Sequence, residues 1–208
     1  MELYIEKKFD VSRSYPKKTT KLVLVGLTPG KQQSEIINSS RDLHMGAFAG
    51  SMRKQIFTWF ESLGINSLFS IANESSIFKE KLLINQVYIT SLLWEPVFIK
   101  RGRNLSNYSG KPFPWKNQVL QKMMEDTFKY LAKLKSECLI VPMGKVVSIS
   151  IADYSNLDNE HYVLHGFPHP SGANGHRFSL FQENKTHLRR VVKTYANRSN
   201  AKIKSRSK

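Results

Sequence analysis

Three short apolar runs constrain this chain most: residues 22–25 (Leu-Val-Leu-Val), 87–93 (Val-Tyr-Ile-Thr-Ser-Leu-Leu) and 138–141 (Cys-Leu-Ile-Val) are nearly continuous rather than alternating. A strand with one wet face alternates apolar and polar residues. A continuous run therefore belongs to a strand covered on both faces, as in a parallel sheet between helices. A fourth run, Tyr-Val-Leu at 162–164, leads into His165. The expectation is a three-layer α/β/α domain with a short, mostly parallel four-stranded central sheet.

Helical spacing fills the intervals. After Ser51, read as an N-cap, Ile56, Phe57, Trp59, Phe60 and Leu63 recur on one face, and Gly64 stands where a glycine ends a helix. Residues 117–134 place Leu120, Met123, Met124, Phe128, Leu131 and Leu134 on one face, and 178–195 read as a closing helix. These stripes are core. Residues 94–115, with Pro96, Gly102, Gly110, Pro112 and Pro114 beside Lys100, Arg101 and Arg103, read as a long basic loop of a kind that is usually functional. Residues 196–208 have almost no apolar content and are expected to be a disordered basic tail, leaving 1–195 as the domain.

The formal net charge of +16 comes from 32 Lys and Arg against 16 Asp and Glu in 208 residues. Lys7, Lys8, Lys17, Lys18, Lys21, Lys100, Arg101, Arg103, Arg177, Arg189 and Arg190 spread it along the chain. That favours a polyanionic partner bound through salt-sensitive contacts. Cys138 is the only cysteine, so no disulfide and no four-cysteine cluster forms within the chain. No leader pattern or long apolar run is seen, which gives the expectation of a soluble cytoplasmic protein, nuclear in a eukaryote.

In open α/β sheets ligands bind at the carboxyl ends of the strands. Gly26-Leu27-Thr28-Pro29-Gly30, Ser91 and His169-Pro170-Ser171-Gly172-Ala173-Asn174 all follow predicted strands. The first is not a P-loop, which needs four residues between its glycines and Ser or Thr after the lysine; here there are three, then Gln32 after Lys31. His161, His165 and His169 are four apart, but Gly166, Pro168 and Pro170 break a helix there. No Gly-x-Ser-x-Gly elbow anchors serine hydrolase chemistry.

Four segments in order, 22–30 ending in Gly-Leu-Thr-Pro-Gly, 46–50 (Gly-Ala-Phe-Ala-Gly), 87–91 ending in Ser91, and 165–174 containing His-Pro-Ser, resemble the uracil-DNA glycosylase superfamily over most of residues 20–195. The resemblance implies a monomeric enzyme that hydrolyses the bond between a damaged or modified base and deoxyribose, in repair or in defence against phage, with no cofactor or metal. His169 then stabilises the departing base, Phe48 is the platform on which the extruded base stacks, and Leu27 and Ser91 meet its edge. Thr28 stands where the family often has Asp or Asn to position water, so either leaving-base stabilisation dominates or a carboxylate such as Asp42 or Glu35 assists. Gly46, Ala47 and Gly50 suggest a pocket roomy enough for a bulky modified pyrimidine. Gly30, Ser171, Gly172, Ala173, Asn174 and Arg177 are expected against DNA, with His176 nearby. The rival expectation is a non-catalytic DNA-binding module on the same fold.

Overall fold

A computed structural model describes residues 2–6 and 14–206; Lys7 and Lys8 lie outside them. Four parallel strands, β2 (Leu22–Gly26), β3 (Val87–Ser91), β6 (Leu139–Pro142) and β7 (Tyr162–Val163), stand in the order β3-β2-β6-β7. The helices are α1 (Lys31–Ser40), α2 (Leu43–Gly46), α3 (Ser51–Leu63), α4 (Ile65–Phe69), α5 (Ser76–Lys79), α6 (Lys81–Ile84), α7 (Gln118–Leu131), α8 (Lys145–Tyr154), α9 (Leu157–Glu160) and α10 (Arg177–Arg206).

Burial on both faces explains the continuous runs. Leu22 and Leu24 pack with Ile56 and Phe60 of α3 and Phe181 and Leu188 of α10. Val23 and Val25 point the other way, to Leu131 of α7 and Val147 and Ile151 of α8. Every β2 residue is buried, and each large apolar side chain so placed contributes about 1.5–3 kcal/mol. The three-layer α/β/α architecture is as expected.

Residues 94–115 are not one loop. They contain β4 (Val97–Arg101) and β5 (Asn104–Asn107), which with β1 (Glu2–Ile5) form an antiparallel sheet in the order β1-β4-β5. Val97 and Ile99 bury against Leu120 and Met124 of α7. The two-residue turn Gly102-Arg103 joins the pair Arg101↔Asn104. Gly102 has φ +59°, a left-handed start that matches the twist of a hairpin. The hairpin hides in the sequence because β5, Asn-Leu-Ser-Asn, is exposed throughout and has no buried face to imprint a pattern.

Two boundaries also differ. Ser51 is the first residue of α3, and its N-cap is Gly50 at φ 76°. Of the expected disordered tail, residues 196–206 instead continue α10 to Arg206, and residues 207–208 lie outside the described ones. No Gly or Pro interrupts residues 178–206, and Ala, Lys and Arg favour the helix. Among the described residues, no helix is long and apolar enough to cross a membrane.

Candidate active site

The register of the central sheet sets Gly26 of β2 beside Ser91 of β3, so the glycine turn and the end of β3 emerge together. Around them lies one crevice, walled by Gly26, Leu27, Thr28 and Pro29, by Thr90 and Ser91, by Ala47 and Phe48, and by His169. Ile89 of β3, Gln33 and Ile37, one turn apart on α1, and Leu43 of α2 complete it. The crevice measures about 390 Å3 including its mouth, and the space left inside for a water-sized guest is about 20 Å3, room for roughly one water. Among the described residues no carboxylate or cysteine lines it.

His169 is held in one tautomer. Its Nδ1 accepts the backbone N–H of Ser171 at 3.2 Å, so in the neutral ring the proton sits on Nε2, a donor. Burial pushes its pKa below the ordinary histidine value of 6.5, which keeps the ring neutral. The neighbouring turn permits this placement: Gly144 has φ +100°, and a Cβ there would stand 3.1 Å from the His169 Cβ. At the start of the same loop, Ser148 Oγ and His165 Nδ1 are 2.8 Å apart, and His165 Nε2 and Asp158 Oδ1 are 2.7 Å apart. These bonds pin the loop to α8 and α9.

Phe48 lies in strained backbone at φ 50°, a conformation costing on the order of 1–3 kcal/mol for a bulky residue. It is 5% exposed, and its ring edge is 3.5 Å from where a Gly26 Cβ would stand. Arg53 fixes that segment. Its Nη2 donates to the carbonyls of His44 (2.7 Å), Met45 (2.8 Å) and Ala47 (2.9 Å), and its Nε donates to Ala47 O at 3.1 Å. The guanidinium also sits 4.0 Å over the Phe78 ring.

Other expected residues take different roles. Thr28 lines the crevice, but its hydroxyl donates to Glu95 O at 3.0 Å and accepts Val97 N–H at 3.0 Å. It ties down the start of β4. Asp42 is exposed and caps α2, accepting His44 N–H at 2.8 Å; neither it nor Glu35, exposed on α1, reaches the crevice. Gly46 is small because α1 is close and a Cβ there would collide with Ile37 Cγ1, whereas Gly50 serves the turn before α3. Of the three small residues only Ala47 lines the crevice.

At the α1 N-terminus after Gly30 one amide is already engaged: Asn107 Oδ1 accepts Lys31 N–H at 3.0 Å. Gly172 and Ala173 are exposed at the lip of the His169 loop. Ser171 Oγ accepts Ala173 N–H at 3.2 Å, and Asn174 Nδ2 donates to His169 O at 3.4 Å. Arg177 Nη1 donates to Gly172 O at 3.1 Å and Asn174 O at 3.3 Å, and the guanidinium lies over Phe178. It closes the loop on itself. Sequence reasoning missed Gln33, Arg53 and Asn107. For Gln33 the available signal was that a helix starting directly after Gly30 turns residues 33 and 37 to the same side as the glycine turn.

No family model matches the chain. It is 31% identical over 196 aligned residues to the Bacillus subtilis (strain 168) protein named "Uncharacterized protein YoxB", an alignment covering 84% of this chain and 74% of that protein.

Proposed function

The chain belongs to the family of Bacillus subtilis YoxB, and we propose that it is a DNA glycosylase, hydrolysing the N-glycosidic bond of a damaged or modified base to leave an abasic site. The observation that carries this reading is His169, a neutral histidine with its Nε2 proton fixed by the Ser171 amide, standing in the same crevice as the strained Phe48.

Breaking the bond sends its electron pair to the base and leaves positive charge on the sugar. A donor aimed at the base oxygen stabilises that departing charge, and it does so best where water is excluded. A neutral ring suits the task, since it donates from Nε2 and has no proton of its own to release at neutral pH. A base lying on Phe48 recovers the stacking given up in the duplex, and Gln33 and Ser91 offer adaptable polar groups to its edge. Water then adds to the sugar carbon, its proton leaving to solvent. With Thr28 Oγ1 engaged by Glu95 and Val97, and with Asp42 elsewhere, catalysis rests on leaving-base stabilisation rather than on a carboxylate that activates water. The narrow interior favours a compact, carbonyl-bearing base such as uracil over one with a bulky substituent, and the walls must part to admit it.

A second reading, a DNA-binding module without activity, is favoured by the crevice walls, which carry no carboxylate among the described residues. The two separate in one experiment. Oligonucleotides bearing uracil, hypoxanthine, a thymine mismatch or a glucosylated cytosine are incubated with the protein, and released base is identified by mass spectrometry. A glycosylase yields free base and alkali-labile sites; a binder retains the DNA and yields neither.

A further inference from the structure

The β4–β5 hairpin grows out of the mouth of the crevice. Thr28 of the glycine turn holds its first strand at Glu95 O and Val97 N. Asn107, the last residue of its second strand, holds the Lys31 amide at the start of α1. Both feet of the hairpin therefore stand on residues of the crevice or directly beside it.

Its far end is cationic. Residues 97–116 contain five Lys or Arg and no Asp or Glu, in a chain that has 16 acids overall. Lys100, Arg101 and Arg103 are exposed at the tip around Gly102. Lys100 Nζ lies 3.6 Å from Glu2 Oε2 in an exposed pair, an interaction that contributes little; Arg101 and Arg103 have no ion pair among the described residues. β5 is an edge strand with all four residues exposed. β5 itself carries no charge, so the cations at the tip are not charges that guard this edge against pairing; a concentration of one sign beside a crevice draws a polyanion.

We propose that this hairpin is an arm that grips the phosphate backbone of duplex DNA several base pairs from the nucleotide held in the crevice. The inference rests on the glycosylase reading for what occupies the crevice, but not on catalysis. β4 spans five residues, Val97–Arg101, so at about 3.3 Å per residue the tip stands roughly 13 Å from the Thr28 anchor. At about 3.4 Å per base pair along the duplex, that reach is roughly four base pairs. The arm is held at both feet by hydrogen bonds, so it presents its three cations at a fixed distance rather than searching for phosphates.

The test is the salt dependence of affinity, read by fluorescence anisotropy on labelled duplexes carrying one uracil, with the duplex trimmed stepwise on either side of it. Removing Lys100, Arg101 and Arg103 together (K100A/R101A/R103A) should lower the slope of log K against log salt by about two to three, near 0.9 for each phosphate that is no longer neutralised. On duplexes with fewer than about four base pairs on the arm's side, wild type and variant should bind alike. A control triple, K133A/K135A/K193A, removes exposed charge elsewhere and should not show that length dependence.

An unchanged slope in the tip variant overturns the proposal, as does a weakening that is the same at every duplex length or is matched by the control. Preferential loss of binding to anionic lipid vesicles, with DNA affinity intact, also overturns it. Thermal melting of each variant confirms folding, and the single substitution Arg103→Glu, which adds repulsion without altering the turn glycine, gives a second reading of the same length dependence. Base release is scored separately, so a protein that grips DNA through the arm and releases no base would refute the glycosylase and leave the arm standing.

Discussion

Phe48 carries the clearest conflict between local preference and global placement in this molecule. A bulky residue at φ 50° persists only where its surroundings over-determine it, and here the Arg53 guanidinium, bonded to the carbonyls of residues 44, 45 and 47, provides that constraint. If the ring is a stacking platform, Phe48→Leu should keep the apolar volume and lose the stacking. Base release per folded molecule should fall by the equivalent of about 1–3 kcal/mol, with a small change in melting temperature. A large loss of stability with an unchanged rate would make Phe48 a core residue and nothing more. At this scale the sequence revealed the identity of His169 and the loop that carries it. It did not reveal the tautomer, because that depends on the Ser171 amide turning back to Nδ1, a feature of loop geometry rather than of residue type.

Among the elements, the hairpin and the glycine turn depend on each other through Thr28. Thr28→Val removes a hydroxyl that satisfies one carbonyl and one amide, and the unpaired groups should cost about 1–3 kcal/mol by denaturant unfolding. The base-release rate of the folded fraction should hold within a few-fold. A rate collapse at full stability would return Thr28 to the role of orienting water. The buried strands were legible because both of their faces are covered and their apolar runs are therefore unbroken. Helix α1 was not, because Lys-Gln-Gln-Ser-Glu-Ile-Ile-Asn-Ser-Ser has too few apolar residues to mark a face, although that helix supplies two walls of the crevice. Without it, Asp42 and Glu35 both stand as candidate acids, and the fold places Asp42 at a helix cap in solvent and Glu35 exposed on α1. The extension of α10 went unread for a related reason: composition suggested disorder, while the absence of any helix breaker permitted continuation.

Over the whole molecule, the parallel sheet gathers the glycine turn, Ser91 and the His169 loop at one end. The later part of α10 lies toward the other, where Tyr195 Oη reaches Lys21 O, just before β2. Three histidines also tie stability to pH. His44, His161 and His169 are each pushed below 6.5, chiefly by burial. The unfolded chain binds protons at the ordinary value, so between that value and the lowered ones it holds more protons than the folded chain. Stability is therefore complete above about pH 6.5 and is lost as pH falls below it. Melting temperatures taken from about pH 7.5 down to about pH 5.5 should decline; a flat or rising trend would mean these rings are not buried neutral.

Whether a neutral His169 stabilises a departing base is decided by single-turnover base release from wild type and His169→Ala, with DNA affinity and melting temperature measured on the same samples. The wild type should release base, and the variant should do so more slowly by roughly a hundredfold or more with nearly unchanged binding and folding. Release by the variant at the wild-type rate, or no release of any base by the wild type, would contradict that role.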